Sequence, residues 1–275
     1  MEIRIAHSPD SDDAFMFYAL AQNKIPTGDF CFTHKLEDIE SLNRRALKGE
    51  FEVSAISIHA YAYVADRYML LPSGASMGDR YGPIVVSSNP LNNQDLRGRK
   101  IGVPGTMTTA YLTLRLFQPD FDPVVIPFDQ IMDAVARKEV DAGLLIHEGQ
   151  LTYGQMGLHK VVDLGEWWFG RTGLPLPLGG NGIRRDLGTD CIREVSRLIR
   201  ESIQYALDHR QEALAHALSY ARGLNAGDAD QFVSMYVNAR TLDYGEDGRR
   251  AVRMLLDEAY RAGIIPNAVS VEFAD

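Results

Sequence analysis

Hydrophobic positions along this chain switch repeatedly between the alternation of a strand and the three-to-four spacing of a helix. Ile3-Arg4-Ile5-Ala6 alternates and predicts a strand. Ser8-Pro9-Asp10-Ser11-Asp12-Asp13 follows as a turn rich in helix N-cap residues, and Ala14 to Leu20 reads as a helix with a wide apolar face. Ile39, Leu42 and Ala46 share the inward face of a second helix that stops before Gly49, and Phe51 to Ile58 reads as a strand. Tyr81 to Ser87 is a strand opened by Gly82-Pro83, and Lys100 to Val103 is another. Residues 110–117 fit either period, since Leu112, Leu114 and Leu116 alternate while Leu112 and Leu116 share a helix face. Their place after a strand and a threonine-rich turn favours helix. Val124 to Ile126 predicts a strand and Ile131 to Lys138 a helix. Val140 to Gly149 contains a buried strand that stops at His147. Later the chain is strongly helical: Ile192, Val195, Leu198, Ile199, Ile203 and Ala206 trace one face, and Val252, Leu255, Leu256, Ala259 and Tyr260 another.

Short strands alternating with helices predict an α/β protein with mixed sheets flanked by helices. The polar stretch Ser88 to Asn93 reads as a crossover between lobes. Leu174-Pro175-Leu176-Pro177-Leu178-Gly179-Gly180 reads as an extended return crossover, because each proline would remove a ladder donor from a central strand. The expected organisation is a discontinuous large lobe of residues 1–88 plus 182–275 and a small lobe of residues 89–181, with a ligand cleft between them.

Composition narrows the function. The formal net charge of −9, from 28 basic and 37 acidic residues, argues against a nucleic-acid or anionic-membrane binder, since both need basic surfaces. The apolar runs are far too short to insert across a membrane. The N-terminus, Met1-Glu2-Ile3-Arg4-Ile5-Ala6-His7, has no basic region leading into an apolar core, so a cytoplasmic location is expected. Cys31 and Cys191 lack metal-ligand spacing and are expected to be reduced and buried.

Four places could carry chemistry. Ser8 with Asp10, Asp12 and Asp13 sits at the end of the first strand, where it either caps a helix or meets a polar ligand. Clustered carboxylates could also hold a divalent cation, although no second carboxylate cluster supports one. Thr106, Thr108 and Thr109 flank a helix start, where free N–H groups bind carboxylates; N-capping by Thr108 alone explains one of the three. Ser57 ends a strand outside any nucleophile elbow, and His59 lies two residues on. His147 ends an apolar strand, where an imidazole can exchange a proton near neutral pH; Glu148 would point to the opposite face if the strand continued. Trp167 and Trp168 suit either the cleft or packing.

Several stretches resemble the 1,4-dihydroxy-6-naphthoate synthase family of menaquinone biosynthesis. They are Ser8-Pro9 with Asp13 and Phe17-Tyr18-Ala19-Leu20; Val103-Pro104-Gly105 with Thr108-Thr109-Ala110-Tyr111; Ile146-His147-Glu148 with Thr152-Tyr153; Val162-Asp163-Leu164-Gly165; Thr172 to Gly179; and Tyr236-Val237-Asn238 with Leu242-Asp243. The resemblance spans nearly the whole chain. It implies a two-lobed fold like the type II periplasmic binding proteins, with neither metal nor organic cofactor. It also implies a small-molecule carboxylate substrate: cyclic dehypoxanthinyl futalosine, cleaved to the dihydroxynaphthoate with His147 as general base. Ser57 and Thr109 match family ligand contacts, and Ser8, Asp13 and Thr108 complete the expected binding set. The chain departs from the family where Ser-Pro-Cys-Pro-Asn-Asp becomes Ser8-Pro9-Asp10-Ser11-Asp12-Asp13, and where Met107 stands at a common histidine position. A solute-binding protein of the same fold, or a lyase acting on another small carboxylate, are the alternatives.

Overall fold

The computed structural model describes residues 1–220 and 225–275. Strands β1 (Glu2–His7), β2 (Cys31–Leu36), β3 (Val53–Ser57), β4 (Tyr68–Leu70) and β5 (Ser76–Gly78) come first. Strands β6 (Ile84–Ser87), β7 (Lys100–Val103), β8 (Asp122–Val125), β9 (Ala142–Leu145) and β10 (His159–Asp163) form a second group, and β11 (Leu176–Arg184) closes the series. One sheet has the order β2-β1-β3-β11-β4, with β5 also on β11; the other has the order β10-β6-β9-β7-β8. Each sheet is mixed. β1 pairs parallel with β2 and β3 while β11 runs antiparallel to β3; β7 pairs parallel with β8 and β9 while β6 runs antiparallel to β9. β3 and β9 are buried at every position, which is why their sequences run apolar and small rather than alternating.

The chain changes sheet earlier than its polar stretches suggest, because β6 already belongs to the second sheet and the whole of β11 to the first. The expected lobe limits at 88 and 182 therefore fall just after β6 and inside β11. The Leu174–Gly180 stretch is also more than a crossover, since Leu176–Arg184 is a central strand. Pro177 is tolerated for a local reason. At its position β11 pairs only with the short β5, opposite Met77, and an irregularity follows before pairing with β3 begins at Gly179. Gly165 lies where the outgoing connection passes the helix Leu164–Thr172. A Cβ there would sit 1.9 Å from the Tyr81 carbonyl oxygen, so only glycine fits.

One continuous apolar core joins the two sheets, running from Ile56 and Tyr68 through Val85 and Ile101 to Trp168. The helix Thr189–Asp208 packs Val195, Leu198, Ile199, Ile203 and Ala206 as its spacing requires, while Ile192 at its start stays partly exposed. Burying each large aliphatic side chain contributes roughly 1.5–3 kcal/mol before entropy. That outweighs the exposed Arg197 pairs with Glu194 and Glu201 on the opposite face, each worth under about 1 kcal/mol. In the helix Gly245–Arg261, Val252, Leu255, Leu256 and Ala259 are buried, but Tyr260, one position further round, turns to solvent. The region Ala14–Leu20 makes two short helices, Ser11–Met16 and Tyr18–Ala21, broken at Phe17. Residues 109–117 are helical, as their context favours. Both cysteines are free, and Cys31 is exposed rather than buried, because it starts the edge strand β2. Trp168 is a core residue whose indole N–H donates to the Pro175 carbonyl. No helix among the described residues is long and apolar enough to cross a membrane.

Candidate active site

The carboxyl ends of β1 and β3 in one sheet, and the segments that follow β7 and β9 in the other, meet at a cavity of about 750 Å³ including its open mouth. His147, Ser8, Asp13, Ser57, Thr108 and Thr109 all line it, together with Asp10, Asp12, Asn181 and Tyr236. His59 does not; it is buried with Nδ1 3.3 Å from the Thr108 carbonyl oxygen and its ring stacked on Tyr111.

One wall is acidic. The Ser8 backbone N–H donates to Asp13 Oδ2 at 2.7 Å, and the Ser8 hydroxyl donates to Asp10 Oδ2 at 2.6 Å. Asp10 precedes the helix Ser11–Met16 as its N-cap residue, yet its side chain makes no capping bond. The carboxylate turns instead to the other sheet, placing Oδ2 3.0 Å from His147 Nδ1. The strand leading to His147 stops at Leu145, so His147 and Glu148 lie beyond the strand and its face alternation no longer applies to them. Glu148 is therefore buried on the same side, accepting from the Ser11 hydroxyl at 3.4 Å. The Phe128 ring meets the His147 imidazole edge-on, with centroids 4.2 Å apart. His147 Nε2 is buried and has no hydrogen-bond partner among the described residues, and the same is true of Asn181 Nδ2.

Burial opposes a charged imidazole at His147. The charge of Asp10 and its hydrogen bond, followed by the charges of Glu148 and Asp12, outweigh that penalty and raise its proton affinity above the usual histidine value. Burial pushes Asp13 up to about 7, with the Ser8 N–H opposing and the Asp10 charge reinforcing the shift. Burial, and then the charges of Asp13, Asp10 and Glu148, hold Asp12 well above the ordinary carboxylate range. This wall thus retains protons near neutral pH, first because burial disfavours the charged carboxylates and then because neighbouring carboxylates repel one another.

The opposite wall is built from hydroxyls. Asn43 Nδ2 donates to Ser57 Oγ at 3.0 Å, and the Ser57 N–H donates to Asn43 Oδ1 at 2.9 Å. Thr108 caps the helix Thr109–Phe117, accepting from the Tyr111 N–H at 3.2 Å and donating to the Gly105 carbonyl at 3.0 Å. The Thr109 hydroxyl accepts from the His59 N–H at 3.2 Å and donates to the Leu178 carbonyl. Both threonine hydroxyls thus serve the scaffold, while the cavity is lined on this side by Ser57, Thr108, Thr109 and Ala110 at the start of the helix.

Among the described residues, Asp10, His147 and Glu148 form a grouping compact enough for a cation, with ligand atoms within 4.8 Å of one another. Asp10 Oδ2 and His147 Nδ1 are bound to each other, so this is first a hydrogen-bonded cluster. Sequence reasoning missed the Asp10–His147 link and Asn43. A signal for Asn43 was present: it shares the inward helix face with Ile39, Leu42 and Ala46, and a polar residue on such a face calls for a buried partner.

Residues 3–261 match the sequence model of a family described as menaquinone biosynthesis. A 1,4-dihydroxy-6-naphthoate synthase from Thermus thermophilus is 45% identical over 262 residues, covering 95% of each chain. A synthase of the same name from Streptomyces coelicolor is 40% identical over 270 residues, covering 96% of this chain and 95% of that one. A crystal structure of an Archaeoglobus fulgidus protein superposes with a TM-score of 0.93 at 49% identity, covering 96% of this chain and 98% of that one. The alkanesulfonate-binding protein of Xanthomonas axonopodis superposes with a TM-score of 0.72 at 14% identity, covering 98% and 96%, and a Candida albicans protein described as having the periplasmic binding protein fold does so at 0.73 and 17%, covering 98% and 92%. The fold is therefore that of the periplasmic binding proteins, and the chain is an enzyme of the menaquinone-biosynthesis family that includes the 1,4-dihydroxy-6-naphthoate synthases.

Proposed function

We propose that this enzyme is a lyase that converts cyclic dehypoxanthinyl futalosine to 1,4-dihydroxy-6-naphthoate, with His147 as its general base. The observation that carries this reading is an imidazole held by Asp10 at Nδ1 whose buried Nε2, on the cavity wall, is bonded to no described residue. The neutral ring in that tautomer accepts a proton at Nε2. The carboxylate of the substrate lies against the start of the helix Thr109–Phe117 and the Ser57 hydroxyl, where N–H groups and the helix dipole favour an anion. The hydroxyl-bearing part lies against Asp12 and Asp13, which accept hydrogen bonds when ionised and donate them when protonated. His147 takes a proton from the carbon beside a carbonyl; the C–H electron pair becomes a carbon–carbon double bond as the oxygen substituent on the adjacent carbon leaves with its own bonding pair and takes up a proton, and the ring opens toward an aromatic product whose stability draws the reaction forward.

The test is to incubate the purified protein with cyclic dehypoxanthinyl futalosine and follow the naphthoate by mass. Multiple turnovers are expected. Stoichiometric binding without turnover would instead mark a solute-binding protein, and a folded sample that neither binds nor converts the compound would point to a different carboxylate.

A further inference from the structure

Asp10 and His147 belong to different sheets. Asp10 lies in the loop that ends β1, and His147 follows β9. Their hydrogen bond therefore forms across the cleft, and two others cross at the same seam. Ser11 Oγ donates to Glu148 Oε1 at 3.4 Å, and the Tyr236 hydroxyl donates to Gln150 Oε1 at 2.9 Å. Asp10 is only 2% exposed, and its Oδ2 is itself held by the Ser8 hydroxyl at 2.6 Å. Phe128 restricts the imidazole plane from the side.

We propose that Asp10 is a positioning residue for His147. It binds the imidazole through Nδ1 from the opposite side of the cleft, sets the tautomer with Nε2 unprotonated, and so makes the base competent only when the two sheets' loops are joined. The inference rests on the reading of His147 as the base. The proton taken from substrate resides on Nε2, and the Asp10 carboxylate stabilises the resulting imidazolium through the Nδ1–H bond. Two donors converge on Asp10 Oδ2, from Ser8 and His147, an arrangement that an ionised carboxylate accepts most strongly.

The experiment pairs kinetics with nitrogen NMR. Asp10→Ala is expected to lower kcat on the order of 10²-fold or more while KM stays within about threefold, because an interaction made to the base and not to the substrate is lost. The acid limb of the kcat profile is expected to move to lower pH, since the nearest charge favouring the imidazolium is gone; Asp12, Asp13 and Glu148 still face the ring and limit the shift. Asp10→Asn, which keeps the shape, is expected to show the same direction. In ¹⁵N-histidine spectra of the wild-type protein taken at a pH above the His147 transition, the signal lost in His147→Gln is expected to report a neutral ring protonated at Nδ1. Unchanged kcat and acid limb in both Asp10 variants, or a neutral wild-type ring protonated at Nε2 rather than Nδ1, would overturn the proposal. If neither variant folds, the wild-type tautomer decides. If the wild-type protein makes no naphthoate, the proposed reaction fails while the tautomer still tests the positioning.

Discussion

Glu40 Oε2 accepts the backbone N–H of Met107 at 2.9 Å, which ties the helix Ile39–Ala46 beside the first sheet to the turn that follows β7 in the second. Asn43 on the same helix donates to the Met107 carbonyl at 3.3 Å. Gly105, two residues before Met107, has φ +155°, and a Cβ there would lie 2.3 Å from Glu40 Oε2. Glu40→Ala leaves a part-buried N–H without its acceptor and should cost about 1–3 kcal/mol in urea unfolding. Gly105→Ala should destabilise the protein as well, by displacing the same carboxylate. A loss of less than about 0.5 kcal/mol in Glu40→Ala, the size of an ordinary surface change, would show that the bond contributes nothing to stability.

His147→Ala should lower turnover on the order of 10²–10⁴-fold with the thermal transition intact, the usual worth of a positioned general base. Turnover near that of the parent protein would remove His147 from the role.

Ser57 presents a hydroxyl to the cavity while Asn43 holds its backbone and oxygen. Ser57→Ala should therefore act on binding, raising KM by about tenfold for the loss of one hydrogen bond, with kcat little changed. A fall in kcat at constant KM would place the hydroxyl at the reacting centre instead.

Dialysis against a chelator should leave turnover unchanged, because Asp10 Oδ2 is already committed to Ser8 and His147. Activity lost to the chelator and restored by one divalent cation would assign a metal to Asp10, His147 and Glu148.

His7 Nε2 lies 3.1 Å from His34 Nδ1 beneath Phe17. Burial, then the neighbouring His34 charge, lowers the His7 pKa to about 3, and burial followed by the His216 charge lowers that of His34 to about 4. Both groups are neutral in the folded state where the unfolded chain would bind protons. Their contribution to stability is thus full above the unfolded value of about 6.5 and is lost as pH falls toward 4 and then 3. Asp13 works in the opposite sense, its raised affinity favouring the folded state as pH falls below about 7. The comparison of parent with His7→Gln/His34→Gln isolates the pair: urea unfolding from pH 7.5 to 4.5 should fall less steeply in the variant. Parallel curves would mean that the pair does not titrate with unfolding.

The α/β class, the inward faces of the long helices and the places where chemistry could sit were all legible along the chain. Those features follow from local periodicity and from strand ends, and both are legible along one dimension. Ser8, Asp13, Ser57, Thr108, Thr109 and His147 all reach one cavity because each stands at or just beyond the end of a strand or the start of a helix. What the threonine hydroxyls do was not legible, since their acceptors and donors, Leu178 and His59 among them, come from distant segments. Pro177 was misread for a related reason: a proline is excluded from a strand only where both sides are paired, and pairing is a property of the sheet. Nothing along the chain indicates that Asp10 leaves its own helix uncapped and reaches His147, 137 residues away in sequence. Local chemistry offered that carboxylate a helix N-terminus. Closing the two sheets over a buried cavity brought it an imidazole N–H, and a charged hydrogen bond in a poorly solvated site is the stronger partner.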